Sequence, residues 1–245
     1  MDIRTVPNPL VRAGGRWLRR INDRHPWSHN DHFHGWVLRR LPSRRRRVLD
    51  VGCGRGLLLS RLRGNFEEVL GVDADAAMAA ASTERFAGDP AVSVRRARFE
   101  EVDGELDTIT MVAVLHHLPL EPALRHAAGL LAPGGRLLVV GLARAESLTD
   151  LAWDLRSSLL NPLVGLIKHP QRVRIPVDDG GGGSDSRGSD SSDSEIADDE
   201  PAMPVRDPTE TFAEISRTAR AVLPGARLRR RLFFRYTLEW TRPLG

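Results

Sequence analysis

Residues 46–56 read Arg-Arg-Val-Leu-Asp-Val-Gly-Cys-Gly-Arg-Gly, and this stretch decides the fold. The apolar residues before Asp50 predict a buried strand that ends near this carboxylate. Gly52, Gly54 and Gly56 then predict a tight turn that opens into a helix beginning with three leucines. A strand, a glycine turn and a helix let a nucleotide-bearing ligand approach bare backbone at the end of a parallel sheet. The pyrophosphate cradle of dinucleotide binders is disfavoured, because a leucine stands where its G-x-G-x-x-G pattern needs the third glycine.

Strand-like and helix-like segments alternate after this turn, which is typical of a parallel sheet covered by helices on both faces. Further strands are predicted at 68–73, 92–97, 107–114 and 136–142, with helices at about 75–86 and 121–131. Pro133-Gly134-Gly135 predicts a turn that leads into the fifth strand. A helix at about 208–222 and a close pair of strands, 228–234 and 236–240, are predicted to complete the sheet.

An acidic residue, Asp73, ends the second predicted strand, 17 residues after Gly56. A carboxylate at this place can accept hydrogen bonds from both hydroxyls of a ribose. The neighbouring Asp75 instead fits the N-cap of the helix that follows. We therefore predict that Asp73 binds ribose.

Four segments together resemble the class I S-adenosylmethionine-dependent methyltransferases. They are the Asp50 glycine motif, the Leu-Gly-Val-Asp that ends at Asp73, the Val-Leu-His-His-Leu at 114–118, and the Leu-Leu-Ala-Pro-Gly-Gly-Arg-Leu-Leu-Val-Val at 130–140. The resemblance implies a Rossmann-like α/β fold: a seven-stranded, mostly parallel sheet with its last strand antiparallel and helices on both faces. It also implies S-adenosyl-L-methionine as the cofactor and methyl transfer as the activity.

The resemblance carries a set of site residues with it. Cofactor binding is expected at Asp50, Gly52, Gly54, Gly56, Asp73, Ala74, Phe99, Glu100 and Val114. His117, with His116 beside it, is the preferred base or acceptor-orienting residue, because histidine titrates near neutral pH. Structural packing of one or both histidines is the alternative.

One position departs from the family pattern. An acid commonly binds the adenine amino group after strand three, whereas this chain has Arg98 there. We therefore expect backbone groups near Phe99, apolar contact and Glu100 to hold the adenine.

The domain organisation is predicted as five segments. They are an N-terminal helical lid or substrate segment (1–44), the cofactor-binding core (45–145), a helical insertion (146–177), a disordered acidic linker (178–200) and a C-terminal helix and strand pair (201–245). Acceptor specificity is expected in the first and third of these, because loops at the carboxyl ends of strands build pockets. A cluster of histidines and aromatic residues in the first segment fits a lid, plain packing or a metal site. Its members are His29, His32, Phe33, His34 and Trp36. No further Cys/His pair completes a zinc pattern, so no metal is expected.

Composition restricts the partners. The 245 residues carry a net charge of +4, but 178–200 contribute −8 and the remainder +12. Nearly every cation is arginine, Lys168 is the only lysine, and the arginine clusters lack interleaved aromatic residues, so nucleic acid is disfavoured. The single cysteine, Cys53, fits a reducing compartment, and the chain has neither a secretory signal nor an apolar run of the ~20 residues that span a bilayer. We expect a cytoplasmic enzyme with a small-molecule acceptor.

Two other functions fit the same sequence less well. An NAD(P)-dependent oxidoreductase would use a similar sheet, but the glycine spacing and the lack of a clear Tyr-x-x-x-Lys pair argue against it. A non-catalytic cofactor-binding regulator would use the acidic linker to reach a basic partner.

Overall fold

The structure, a computed structural model, describes residues 29–145, 207–232 and 235–244. The predicted helix within 146–177 and the predicted linker 178–200 lie outside these residues. Helices are numbered along the chain as α1 (His29–Leu38), α2 (Leu57–Leu62), α3 (Ala76–Arg85), α4 (Leu120–Leu130) and α5 (Phe212–Val222). Strands are β1 (Arg47–Val51), β2 (Glu68–Asp73), β3 (Val92–Arg96), β4 (Leu106–Val112), β5 (Leu131–Gly141), β6 (Arg227–Arg231) and β7 (Arg235–Thr241).

Seven strands form one sheet in the order β3-β2-β1-β4-β5-β7-β6. The first five strands pair in parallel, and β7 inserts antiparallel between β5 and β6. The fold class expected from the sequence is therefore confirmed, including the antiparallel last strand. The order reverses direction beside β1, and in open α/β sheets such a switch point is where ligands bind.

Apolar side chains cover both faces of the sheet. On one face, α4 and α5 contribute Leu124, Ala127 and Ile215 to the core. On the other face, α1 and α2 contribute Phe33, Trp36, Val37, Leu58, Leu59 and Leu62. Burying apolar surface on both faces is what holds a parallel sheet together in water.

Several predicted boundaries are wrong. The helix expected from about 208 begins at Phe212, because Thr211 is its N-cap, and β6 ends at Arg231 and not at 234.

Two boundaries of the parallel strands also differ by two residues or more. β5 begins at Leu131 rather than at Arg136, because Leu131 already pairs with Leu106, and the Pro-Gly-Gly segment forms a bulge inside the strand. The bulge is held by the chain's last residues: Gly134 donates to the Arg242 carbonyl, and the Arg242 N–H donates to Gly135, each at 2.9 Å. This pairing joins residues more than a hundred positions apart, so the local sequence does not reveal it.

The second boundary is the end of β4. The strand stops at Val112 instead of Val114, because Ala113 adopts a left-handed conformation with φ +57°. A single 3₁₀ turn, Leu115–His117, follows. The kink and the short turn place the end of this segment above the sheet edge, where the candidate site lies.

The helix α1 clarifies part of the N-terminal prediction. Phe33 and Trp36 are buried in the core against the sheet, so these two side chains pack as the packing alternative predicts. The lid or substrate role of the segment 1–44 stays a prediction. Within the described parts of the chain, no group of three His, Cys, Asp or Glu side chains is placed to hold a metal ion. No helix in 29–145, 207–232 or 235–244 is long and apolar enough to cross a membrane.

Candidate active site

A cavity of about 580 Å³ opens at the carboxyl ends of β1, β2 and β4. Its walls come from the glycine turn, the end of β2, the segment after β3 and the segment after β4. They consist of Val51, Gly52, Gly54, Val72, Asp73, Ala74, Asp75, Met78, Ala97, Arg98, Phe99, Glu100, Val112, Ala113, Val114, His117, Leu118 and Pro119. The wall is thus mostly apolar with a few polar groups, which is the usual composition of a small-ligand pocket.

Backbone conformation explains two of the glycines in the turn. Gly52 has φ +67°, and a Cβ there would lie 2.6 Å from the Val114 side chain, so no other residue fits. Gly54 has φ +53°, and a Cβ built on it meets no atom within 4 Å, because the residue faces the cavity. The backbone of Gly54 is therefore open to a ligand, as the sequence predicted for this turn.

The third glycine, Gly56, packs against α3. A Cβ on Gly56 would lie 2.6 Å from the Ser82 hydroxyl and 2.7 Å from the Phe86 ring, both next to or in α3. Gly56 is not among the residues that line the cavity. Gly56 allows the turn to pack closely against α3, and its contact with the cofactor stays a prediction.

The carboxylate of Asp73 is fixed from two sides. Its Oδ2 accepts the Gly54 N–H and its Oδ1 accepts the Asp75 N–H, both at 2.9 Å. Each carboxylate oxygen keeps a further acceptor site, so the group can still accept two ligand hydroxyls from the cavity. As predicted, Asp75 instead caps α3, since its Oδ1 accepts the N–H groups of Ala77 and Met78.

The other predicted acid, Asp50, lies beneath the turn and not in the cavity wall. Its side chain is 3% exposed, and its Oδ1 accepts the Thr110 hydroxyl at 2.7 Å. Burial raises the pKa of Asp50 to about 7; the Thr110 hydrogen bond opposes this rise and the charge of Asp73 adds to it. Asp50 thus supports the glycine turn from below, and its contact with the cofactor stays a prediction. No sequence motif pointed to Thr110, because it meets Asp50 only through the pairing of β1 and β4.

The segment after β3 forms the opposite wall. Phe99 begins a short 3₁₀ turn and is 4% exposed, while Arg98 and Glu100 on either side are exposed at the cavity. Arg98, the position that departs from the expected family pattern, lines the cavity. The sequence placed Phe99 and Glu100 at this wall correctly, although their contact with a ligand remains a prediction.

The two histidines after β4 are consecutive residues of the 3₁₀ turn Leu115–His117. His117 lines the cavity, whereas His116 is not part of its wall. The two rings lie 4.1 Å apart, centroid to centroid. Of the pair, His117 therefore has the position of a group that can exchange a proton with a bound molecule.

The cysteine in the glycine turn is not built for catalysis. Cys53 is buried, and burial raises the pKa of its thiol to about 12, with smaller contributions from the charges of Asp50 and Asp73. At neutral pH the group is a thiol and not the reactive thiolate. Cys53 therefore serves the packing of the turn.

The fold and site define a Rossmann-like domain with a small-ligand cavity at the switch point of its sheet. A family model described as a methyltransferase domain matches residues 49–137. An uncharacterized methyltransferase of Mycobacterium tuberculosis H37Rv is 30% identical over 229 residues, covering 89% of this chain and 98% of that protein. A ubiquinone biosynthesis O-methyltransferase of Paracidovorax citrulli is 36% identical over 109 residues, covering 41% of this chain and 45% of that protein.

A solved structure agrees with these similarities at the level of the fold. The YcgJ protein of Bacillus subtilis superposes with a TM-score of 0.51 and 19% identity, covering 81% of this chain and 70% of that chain. The chain belongs to the class I S-adenosylmethionine-dependent methyltransferase family, and it is a methyltransferase. The oxidoreductase and the non-catalytic regulator are thereby set aside.

Proposed function

We propose that this methyltransferase transfers the methyl group of S-adenosylmethionine to a small molecule, at an oxygen or a carbon atom. One observation carries the proposal: a fixed carboxylate, a bare glycine and a histidine share one cavity at the switch point of the sheet. When bound, the cofactor supplies an electrophilic methyl carbon on a sulfonium. The chain's own residues then have to hold the two reactants in line and exclude water.

The ribose is proposed to bind Asp73. Each carboxylate oxygen is already oriented by one backbone N–H, so little freedom is lost when the two ribose hydroxyls donate to it. Gly52 and Gly54 border the adjoining part of the cavity, and their backbone suits the methionine portion. Ala74 and Val114 complete this contact surface.

The adenine is proposed to lie against Phe99 and Glu100. Arg98 cannot accept a hydrogen bond from the adenine amino group, because a guanidinium only donates. The acceptor is then a backbone carbonyl of this turn or the Glu100 carboxylate, which borders the cavity. Apolar residues such as Met78 supply the surface on which the ring packs.

His117 is proposed to act on the acceptor. For an alcohol or phenol, the imidazole takes the hydroxyl proton as the oxygen attacks the methyl carbon; for a carbon acceptor, it removes an adjacent acidic proton. The similarity to a ubiquinone biosynthesis O-methyltransferase supports oxygen as the acceptor atom. His116, outside the cavity wall, is proposed to orient the His117 ring through their contact at 4.1 Å.

Several contacts support a small molecule over nucleic acid. In the cluster 44–47, Arg44 pairs with Asp107 and Glu105, and Arg47 pairs with Glu68, all at about 3 Å. These guanidinium groups are used within the protein, so this cluster is not a set of phosphate contacts. We also propose a cytoplasmic location, which the single cysteine supports.

Titration calorimetry with S-adenosylhomocysteine tests the cofactor site. The unmodified protein is expected to bind, and Asp73→Ala to weaken binding at least about tenfold, because hydrogen bonds to a charged group contribute roughly 1.5–3 kcal/mol. Asp103→Ala is the matched control, since Asp103 is an exposed acid outside this cavity. Absence of binding by the unmodified protein, or equal binding by both variants, contradicts the proposal.

The acceptor is tested separately with a methyl-labelled donor and a panel of phenols, alcohols, amines and activated carbon acids, followed by mass spectrometry. Label on an oxygen or carbon is expected. Transfer only to amines, or only to RNA, contradicts this part of the proposal.

A further inference from the structure

We infer that His126 is a positioning residue for adenine recognition, which it serves by fixing the turn at Phe99–Glu101 against the rest of the protein. The inference rests on the proposed function, because it takes the cavity to be the cofactor site. His126 lies outside the cavity wall and acts through Phe99, so it needs no contact with the ligand.

Two contacts join His126 to the same residue. Its Nε2 lies 3.1 Å from the Phe99 carbonyl oxygen, and its ring meets the Phe99 ring edge-on with centroids 4.8 Å apart. A carbonyl oxygen only accepts, so Nε2 carries the proton of this hydrogen bond. The contact therefore requires the Nε2–H form of the imidazole.

The Phe99 carbonyl oxygen accepts two hydrogen bonds. It also accepts the Val102 N–H at 3.1 Å, so both of its acceptor sites are occupied. Two donors on one oxygen fix the plane of the peptide group between Phe99 and Glu100. Phe99 and Glu100, which this peptide joins, both line the cavity, and the adenine acceptor proposed there is then the Glu100 carboxylate or another carbonyl of the turn.

The other hydrogen bonds of the turn are internal. The Arg98 N–H donates to the Glu101 carboxylate, and the Glu101 N–H donates to the Arg98 carbonyl, each at 3.1 Å. These bonds shape the turn but do not set its distance from the sheet. Burial of the Phe99 side chain, and the Ala97 N–H that donates to the Asp73 carbonyl at 3.1 Å, join this segment to the core and the sheet. His126 adds a hydrogen bond to the turn from α4, whose Leu124 and Ala127 are completely buried in the core.

We expect a fixed turn to make the site specific for adenine as the base of the ligand. Hydrogen bonds weaken steeply when distance or angle departs from the optimum, so a turn that is free to move recognises the adenine amino group less well. Contacts to the ribose and the methionine portion come from other elements and do not depend on this turn. Loss of the His126 bond should therefore reduce discrimination between bases more than overall binding.

The test uses the full chain and two ligands, S-adenosylhomocysteine and S-inosylhomocysteine, whose base lacks the adenine amino group. His126→Phe keeps an aromatic ring and loses the donor, whereas His126→Gln keeps an N–H donor. Arg125→Gln is the matched control, because Arg125 is exposed on the same helix and pairs only with Glu121 among the described contacts.

Calorimetry should give a clear adenine preference in the unmodified protein. The ratio of the two dissociation constants is expected to fall about 5- to 10-fold in His126→Phe, to be largely retained in His126→Gln, and to be unchanged in Arg125→Gln. A purely structural role would lower stability and weaken both ligands equally, leaving the ratio unchanged.

The outcomes separate the two proposals. Failure of the unmodified protein to bind S-adenosylhomocysteine overturns the proposed function, whereas an unchanged ratio in a His126→Phe variant that still binds overturns only this inference. If His126→Phe does not fold, nitrogen-15 NMR of the unmodified protein decides: the Nε2–H tautomer is required, and the Nδ1–H tautomer overturns the inference.

Discussion

Gly54 and Gly88 form a matched pair for testing whether the cavity binds the cofactor. Both have positive φ, +53° and +85°, and a Cβ built on either meets no atom within 4 Å. Gly54 lines the cavity, whereas Gly88 lies after α3, outside it. Replacing each by alanine therefore imposes the same backbone strain without a clash, and only one of the two new methyl groups enters the proposed ligand space.

The expected magnitudes follow from this geometry. Forcing an L-residue into the left-handed region costs roughly 1–2 kcal/mol, so urea unfolding of Gly54→Ala and Gly88→Ala should show similar losses of stability. Calorimetry with S-adenosylhomocysteine should then differ. The methyl group on residue 54 pushes the ligand off the bare backbone and weakens binding at least about tenfold, or 1.4 kcal/mol, whereas Gly88→Ala should bind like the unmodified protein.

Equal affinities in the two alanine variants would refute the reasoning, because they would mean that no ligand approaches Gly54. A large loss of stability in Gly54→Ala alone would refute it in another way, since it would show that the space beside Gly54 is filled by protein.

Three further predictions concern titratable groups near the turn. His117→Ala should lower kcat about 10²- to 10⁴-fold with little change in cofactor affinity, and His116→Ala should lower it less; steady-state kinetics and calorimetry measure both. Asp50 has its folded-state pKa raised to about 7 from 3.8, so its contribution to stability is most favourable below pH 4 and declines as the pH rises to 7. Asp50→Asn should therefore gain stability relative to the unmodified protein as the pH rises, by up to about 4 kcal/mol above pH 7 in urea unfolding; a difference that does not change with pH would contradict this. Cys53, whose thiol pKa is raised to about 12, should react with iodoacetamide at pH 8 only as fast as the protein unfolds, and rapid labelling of the native state would show that the thiol is accessible.

Local patterns were sufficient for much of the fold. The apolar run before Asp50 and the glycine turn lie within a few residues of one another, and short-range geometry fixes their structure. The same holds for Asp75, whose capping bonds reach only two and three residues along the chain. The bulge in β5 was missed because its hydrogen bonds come from Arg242.

In the candidate site, too, local motifs predicted some features, whereas contacts between distant elements decided others. Gly54, Asp73 and His117 were named from motifs, and the structure places all three in one cavity because parallel strands end at a common edge. Gly56 and Asp50 belong to the same motif but lie outside the cavity wall. A motif gives the order of residues along the turn, whereas packing against Ser82 and pairing with Thr110 decide which way each of them faces.

By itself, the sequence determined the family and the cofactor, because the motifs that resemble the family are local patterns of residues. The tertiary structure alone decided which members of the glycine motif line the cavity, that Phe33 and Trp36 are core residues, and that His126 contacts the turn at Phe99. Each of these depends on contacts between elements distant in the chain. Such contacts exist only once both faces of the sheet have been covered.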